Sequence, residues 1–586
     1  TGQSQWISGS LYAASTFTYD GYGNVLQQTD PLNSPTTMVY DSYNLYPSTT
    51  TNALGHATTA AFDYAIGKPT QVVNANGTQM VTDYDGFGRP LSVSSSSDAS
   101  ATTLNTVETW NYDDVSLPRS VTHRAYMSAT TYSEDISYFD GFDRVIEIKT
   151  LNAAGTGYNE AEIVYDSMGR VASSTLPEAS ASNTYDANTV SSNLAETYSY
   201  DALGRPTSAT NVLGTTSTSY SGLTKTVLDA LGNQKDYVTD GLGRLTTVRE
   251  YIDGTAYTTS YTWSGADKLT QITDALGNIR NFTYDGRGLR LTAQDLHASS
   301  DTTFGTWTFT YDSNGNLRTS LSPNAITTTY TYDALNRMTA EDASSAAGTE
   351  ATYTYDSCTN GIGMLCTTSV NSGASTSTSY FVSGRTSSET STVGGTAYTT
   401  SYTYDYQGNP LTVTEPDNSV IQNTHNALGK IETVLRKGPS EASFAAIVSN
   451  IDYGPHGQVT SEAYANGTTS TWDYDSGARY RLSRKQTTGL SGGSATTTSY
   501  YATAGDGGIN KVHASWDTAH DAVSGTTASA TATTANVRTG KNAANNNFIE
   551  RAFLPFDTSA LPDSATITSA RLKVYVQTKT NNDNDG

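Results

Sequence analysis

Three sets of residues in this sequence have types and spacings that invite chemistry. The first is a recurring aspartate, always two residues before a variable position that leads into glycine, as in Asp85-x-x-Gly88 and Asp166-x-x-Gly169. Repeated carboxylates could pair as the acid and base of glycoside hydrolysis. An aspartate three residues before a glycine is also what a tight turn needs. Its carboxylate accepts backbone N–H groups, and glycine supplies a positive φ. One repeated turn explains every copy with no further assumption. The second set is Gly489-Leu490-Ser491-Gly492-Gly493, which matches the nucleophile-elbow string. A working elbow joins a strand to a helix in an α/β sheet, whereas this string lies in a Ser/Gly/Thr-rich stretch. The third is His513 and His520 beside Trp516 and Asp517. Their separation exceeds the roughly two-to-five-residue spacing of paired zinc ligands. No catalytic constellation survives, so the expectation is a protein that is not an enzyme and carries no resident cofactor. Ca²⁺ is the one ion weighed, for the acidic composition and for Asp583-Asn584-Asp585-Gly586, which falls short of the oxygen count an ion needs.

The elements around these residues repeat. The string Tyr-Asp-x-x-Gly-Arg/Asn occurs at Tyr19, Asp20, Gly23; Tyr84, Asp85, Gly88, Arg89; Tyr165, Asp166, Gly169, Arg170; and Tyr200, Asp201, Gly204, Arg205. It returns at Tyr311, Asp312, Gly315 and at Tyr404, Asp405, Gly408, with degenerate copies at Phe139-Asp140, Thr239-Asp240, Tyr284-Asp285, Tyr332-Asp333 and Tyr474-Asp475. Between copies falls a second turn, either Asp/Asn-x-Leu-Gly (Asn52–Gly55, Asn211–Gly214, Asp229–Gly232, Asp274–Gly277) or Asn-Gly and Asp-Gly (Asn76-Gly77, Asp253-Gly254, Asn466-Gly467). The unit reads strand, turn, strand, turn. Before the first turn aromatics alternate with threonine, as in Trp307-Thr308-Phe309-Thr310-Tyr311, which puts rings on one face of a strand and hydroxyls on the other. Asn-Gly and Asp-Gly are strong hairpin signals. No long helical period occurs, and the fold class is all-β. The arginine after the glycine (Arg89, Arg170, Arg205, Arg244) is expected to pair with a neighbouring aspartate or stack on tyrosine rather than bind a ligand.

Composition agrees. Only 36% of the 586 residues are hydrophobic, and 40 are tyrosine, a residue that suits half-buried sheets with a wet edge. A formal net charge of −23 repels nucleic acid and anionic membrane, so neither is an expected partner. No segment approaches the ~18 apolar residues a membrane helix needs. Cys358 and Cys366 are close enough in sequence to close a small disulfide loop, which would fit an oxidising, extracellular or cell-surface location. The sequence opens at Thr1 without a signal-like segment, the expected mark of a fragment or processed form.

These units resemble the YD repeats of bacterial Rhs proteins, Tc-toxin shell components and teneurins, over about residues 10–505, with weaker stretches near 91–135, 341–400 and 430–450. The resemblance implies one long sheet of hairpins spiralling into a hollow shell. It also implies a structural, non-catalytic role, with an encapsulated C-terminal toxin as one partner. Such shells usually end in an Asp-Pro-x-Gly cleavage segment; Asp30-Pro31-Leu32-Asn33 lacks the glycine and lies at the wrong end. From about residue 506 the repeat lapses. The pattern Arg551–Asp557, Leu561-Pro562 and Ala565–Val576 is similar to the first half of the disaggregatase-related (DNRLRE-like) β-sandwich modules, some of which bind polysaccharide. The expected organisation is a repeat shell over 1–505 and a linker with an incomplete β-sandwich over 506–586. A surface adhesin gripping polysaccharide or cell-surface glycan is the alternative to the shell.

Overall fold

The computed structural model describes residues 2–186, 190–345 and 347–490, together with the backbone of five later strands between 495 and 553. Apart from two single 3-10 turns, Ser192–Leu194 and Ser476–Ala478, every element among these residues is a β-strand. The chain divides into two units, residues 1–449 with 454–457, and residues 450–453 with 458–586.

In the first unit most strands pair antiparallel with the next. Thr306–Tyr311 pairs with Leu317–Leu321, which pairs with Thr327–Tyr332. At the tyrosine–aspartate end the register slips: Thr310 faces Thr319 but Tyr311 faces Leu317, leaving Arg318 as a bulge. The same slip recurs at Tyr138/Phe139, Ser199/Tyr200, Thr262/Trp263 and Thr403/Tyr404. A bulge at the same place in hairpin after hairpin adds twist and bend each time, so the sheet must curve. The stretch near 91–135, where the motif fades, still folds as hairpins, from Pro90–Ser97 through Ser100–Asp113 and Arg119–Tyr126 to Tyr132–Phe139. Alternation and turn residues suffice there without the signature; Asp113 Oδ1 still accepts the Val115 and Ser116 amides.

The two faces differ in chemistry. Opposite the repeat aromatics runs a cross-strand hydroxyl ladder, with Thr310–Thr319 at 2.6 Å, Thr403–Thr412 at 2.7 Å and Thr424–Thr433 at 2.8 Å, all exposed. Among the described residues buried apolar side chains are few and scattered, Ile136, Leu194 and Phe282 among them. A sheet wet on both faces has no thick core to fill.

Curvature brings the first unit back against itself. Bonded partners in this seam are 274 to 304 residues apart. Asn314 Nδ2 donates to Asp30 Oδ2 at 2.6 Å, Asn76 and Ile362 exchange two hydrogen bonds, and Thr78 donates to the Val382 carbonyl. Gln407 Nε2 donates to the Val107 and Tyr126 carbonyls at 2.8 and 3.1 Å. The Gly286, Tyr406 and Ala427 amides donate to Ile7, Met127 and Ala153. In nearly every pair the later partner lies at a tyrosine–aspartate turn, and the earlier partner lies at or beside the opposite turns. One rim of the later winding therefore sits on the other rim of the earlier one. Gly286 shows how close the approach is: a Cβ there would lie 2.5 Å from the Trp6 carbonyl oxygen.

Among the described residues the sheet branches at two places, one of them where Asn278–Tyr284 pairs with both Arg290–Gln294 and His297–Ala298. At the other, Tyr158–Tyr165 pairs with Val171–Thr175 through its second half and with Glu178–Ser180 through its first. The segment that follows runs over the sheet face, where Tyr138 donates its hydroxyl to the Asn183 carbonyl at 2.5 Å and its ring lies 5.7 Å from that of Tyr185.

In the second unit, Val459–Tyr464, Thr469–Asp475, Arg481–Leu490 and Ala495–Tyr500 pair in sequence as further hairpins. A separate antiparallel sheet has the order Thr527–Ser529, Gly507–His513, Asn547–Phe553, Arg538–Lys541. Gly489 and Leu490 of the elbow string lie at the end of a strand. Ser491, His520, Leu561–Val576 and Asp583–Gly586 lie outside the described residues.

Candidate functional site

The repeat turns are built alike. Asp85 Oδ1 accepts the Phe87 and Arg89 amides, both at 2.9 Å, while Oδ2 takes Arg89 Nε at 2.7 Å; Gly88 closes the turn at φ 76. Asp166 with Arg170, Asp201 with Arg205 and Asp240 with Arg244 repeat each bond. In the asparagine copies Asn24, Asn316 and Asn409 donate Nδ2 to Asp20, Asp312 and Asp405 at 2.8–2.9 Å. The sixth residue also reaches forward to the next turn. Arg89 binds Asp114, Arg170 binds the carbonyl of Asp201, and Arg337 binds Asp356 with both terminal nitrogens; in the Tyr284 copy Arg287, two residues after the aspartate, reaches the carbonyl of Asp312 instead. The guanidinium of the sixth residue lies over the aromatic of that next hairpin: Arg89 over Tyr112 at 4.1 Å, Arg170 over Tyr200 at 4.5 Å and Arg337 over Tyr355 at 4.3 Å. The tyrosine hydroxyl points back, donating to the carbonyl of the residue just before the bulge in the preceding hairpin, as in Tyr84 to Pro69, Tyr200 to Val171 and Tyr311 to Arg290. Tyrosine, aspartate, glycine and arginine thus each tie one hairpin to the next.

Asp85, Asp166, Asp201 and Asp240 titrate low. The Arg144 guanidinium holds Asp140 below the usual carboxylate range, the Arg170 amide does so for Asp166, and the Arg244 side chain for Asp240. A carboxyl whose folded pKa is depressed contributes stability above its unfolded value, and that stability is lost as pH falls through the folded value. Thermal melts followed by circular dichroism are therefore expected to drop steeply below about pH 4. An acid limb that stays flat to pH 2 would mean the turn carboxylates contribute nothing.

Cys358 and Cys366 are joined by a disulfide. The bond pins the loop that carries Ile362 to Asn76 across the seam, with Ile362 N donating at 2.9 Å and its carbonyl accepting at 2.8 Å. Reduction is expected to remove about 2 kcal/mol and to speed hydrogen exchange at the Ile362 amide. Unchanged exchange there would show that the loop holds itself.

A second constellation lies under the segment that covers the sheet. On neighbouring strands Glu147 faces Glu162 and Lys149 faces Glu160. Glu147 and Lys149 are fully buried. Lys149 Nζ is 2.6 Å from Asp186 Oδ1, 2.9 Å from Glu160 Oε2 and 3.4 Å from Glu147 Oε1. Glu147, Glu160 and Glu162 bring one oxygen each within 4.8 Å of one another. Burial, with Glu160 beside it, pushes the Glu147 carboxyl up to about 7 against the pull of Lys149. Burial works to lower the Lys149 ammonium, but hydrogen bonds to Asp186 and Glu160 outweigh it and hold that group above its ordinary value. A cavity of about 310 Å³ opens beside Glu147 and Glu162, lined also by Arg144, Tyr165 and Tyr185. Lys149 holds the position among the carboxylates that a cation would take. The arrangement clips the covering segment to the sheet through Asp186. Sequence reasoning by repeat motif passed over these residues. The signal was charge at alternate positions, Glu147-Ile148-Lys149 and Glu160-Ala161-Glu162, where other repeats place threonine.

Comparison with known proteins adds the following. Residues 311–345 match the model of the RHS Repeat family. No curated protein matches the sequence. Among solved structures the chain superposes on TcdB2-TccC3 with a TM-score of 0.71 and 16% identity, over 84% of this chain and 30% of that one. It superposes on TcdB2-TccC3 without its hypervariable C-terminal region with a TM-score of 0.73 and 14% identity, over 84% and 32%. The fold is that of TcdB2-TccC3. The Photorhabdus luminescens Tc holotoxin pore gives a TM-score of 0.72 at 14% identity, over 83% and 31% of the two chains. The chain therefore carries an Rhs repeat in a Tc-like sheet and spans about a third of the length of the chains it resembles. No helix among the described residues is long and apolar enough to cross a membrane.

Proposed function

We propose that this chain is a length of encapsulating wall from an exported Rhs-type protein, that it catalyses nothing itself, and that the enclosed partner is a polypeptide such as a toxin. The observation that carries this reading is the seam, where one rim of the sheet sits on the other after 274 to 304 residues. At ~4.8 Å between strands and ~25 strands per winding, the path is ~120 Å around and ~40 Å across, leaving a wet interior once the wall's own ~10 Å is subtracted. The wall keeps a hydroxyl-rich face on which an unfolded chain finds little apolar surface to stick to. Its likeness in fold to TcdB2-TccC3, which has a hypervariable C-terminal region, supports a cargo in the same sense. The Cys358–Cys366 disulfide favours an oxidising, extracellular setting. The disaggregatase-type resemblance of residues 514–586, and the polysaccharide partner it suggests, rest on sequence pattern alone.

A protease-protection experiment tests the proposal. An unstructured, epitope-tagged tail is fused after Gly586 and the protein is treated with trypsin. Protection that is lost when 3 M urea opens the wall is the expected result. A tail cut at the rate of the free peptide under native conditions would overturn the encapsulating role.

A further inference from the structure

Two demands of the repeat meet at one dipeptide. The turn needs glycine at a positive φ, and the seam draws a side-chain hydrogen bond from the residue just before it. Asn-Gly satisfies both, and it is the pair in which a backbone nitrogen, unhindered by any side chain, most readily attacks the asparagine amide. Four such pairs occur in the sequence: Asn76-Gly77, Asn314-Gly315, Asn360-Gly361 and Asn466-Gly467. Two of them bond across the seam. Asn314 Nδ2 donates to Asp30 Oδ2 at 2.6 Å and to Asn336 Oδ1 at 2.8 Å, while its own Oδ1 is buried and accepts no hydrogen bond. What that side chain gives the seam is therefore its amide nitrogen. Asp30 is held in place, because its Oδ1 accepts the Leu32 and Ser34 amides. Asn76 Nδ2 donates to the Ile362 carbonyl at 2.8 Å, and its Oδ1 accepts the Ile362 amide at 2.9 Å. Asn466 stands apart from the seam. It is exposed, and its Oδ1 caps Thr468 within its own turn. The glycine nitrogens are bonded alike, Gly77 to Asn74, Gly315 to Asp312 and Gly467 to Tyr464, so the hold on the asparagine side chain is what distinguishes the sites.

We propose that Asn314 and Asn76 are deamidation sites guarded by the seam, and that their conversion after the windings part keeps the seam from closing again. In the step at Asn314, the Gly315 nitrogen bonds to Cγ, the Cγ–Nδ2 bond breaks, and the proton of the glycine nitrogen leaves with Nδ2 as ammonia. Water then opens the cyclic imide to an aspartyl or isoaspartyl residue, and nothing is oxidised or reduced. The product carries a carboxylate where a donor stood. At Asn314 it faces the Asp30 carboxylate, so a charge-assisted hydrogen bond becomes repulsion between like charges. At Asn76 it faces the Ile362 carbonyl. A closed seam holds both amides, so the reaction waits for local opening, and each conversion then opposes reclosure. The inference rests on the seam and is independent of what the wall encloses.

Peptide mapping by mass spectrometry, on the intact protein aged in mildly alkaline buffer, tests the guard. Asn466 is expected to convert first, with Asn76 and Asn314 at least about tenfold slower. Asp30→Ala, which removes the acceptor, is expected to bring Asn314 toward the Asn466 rate and leave Asn466 unchanged. Equal rates at the three sites in the wild type, or an Asn314 rate indifferent to Asp30→Ala, would overturn the guard. The consequence is read by hydrogen exchange at the Gly286 amide, which donates to Ile7 across the same seam. Asn314→Asp is expected to speed that exchange at least about tenfold, while Asn466→Asp leaves it alone. Adding Asp30→Asn to Asn314→Asp is expected to slow it again, since a donor once more faces a carboxylate; circular dichroism confirms that each variant folds. Exchange at the wild-type rate in Asn314→Asp, or no recovery with Asp30→Asn, overturns the one-way opening.

Discussion

Lys149→Met is expected to destabilise the protein by about 3–5 kcal/mol at pH 8, because it leaves buried carboxylates without their ammonium. Glu147, Glu160 and Asp186 all contact that one nitrogen, with Glu162 opposite Glu147. The pH dependence gives the sharper test. Glu147 has its folded pKa raised from 4.5 to about 7. A raised carboxyl binds more protons folded than unfolded, so its contribution is fully present below the unfolded value and is lost as pH rises through the folded one. The cluster is therefore tightest in mild acid and weakens between about pH 4.5 and 7. Glu147→Gln should remove that slope and leave the protein more stable than wild type at pH 8, by up to about 3 kcal/mol at ~1.4 kcal/mol per pH unit. Lys149→Met should be costliest at pH 8 and milder at pH 5, and Glu147→Gln should restore part of its stability. Urea melts at the two pH values, with hydrogen exchange at Asp186 as the local readout, decide the matter. A small, pH-independent loss would mean that the cluster does not hold the covering segment.

How far the sequence foretold this depends on which bonds are local. The turn chemistry was legible because it closes within five residues: aspartate, two variable positions, glycine, arginine. The alternation of Trp307, Phe309 and Tyr311 with threonine fixed the two faces for the same reason, since period two is a property of one strand. The hairpins near 91–135 were harder to see because the signature fades there while the alternation persists. The seam was not legible at all. Asn76 and Ile362 have no sequence relation to one another, and their meeting depends on curvature summed over many bulges. The bulge itself leaves only a weak trace, one extra residue between the turn and the next paired position. The Glu147–Lys149 cluster falls between these cases. Its charges at alternate positions were visible, but the segment that buries them comes from residues 178–186, and only the fold shows that it returns.

Removing the turn aspartate should cost much more where the rim is seated than where it is open. Asp405 is 5% exposed. Its Oδ1 accepts the Gln407 and Asn409 amides at 2.9 Å and its Oδ2 takes Asn409 Nδ2 at 2.8 Å, while its carbonyl accepts Arg385 Nη1 at 2.6 Å. The turn it shapes delivers the Tyr406 amide to Met127 and Gln407 Nε2 to Val107 and Tyr126. Asp405→Ala therefore loses two caps of its own, orphans Asn409 and misplaces three seam bonds, at an expected cost of about 3 kcal/mol. Asp201 makes the same bonds within its turn, to the Leu203 and Arg205 amides and to Arg205 Nε. Its turn tip, Leu203, is 77% exposed, so water replaces what Asp201→Ala removes and the loss should be clearly smaller. Hydrogen exchange separates the two causes. Asp405→Ala should expose the Tyr406 amide before the surrounding strands open, whereas Asp201→Ala should leave the seam protected. Equal losses for the two variants would mean that each turn stabilises only its own hairpin and that the windings gain nothing from touching. The difference between them measures what the seam contributes together with the exchange of an Arg205 guanidinium for an Asn409 amide at Oδ2.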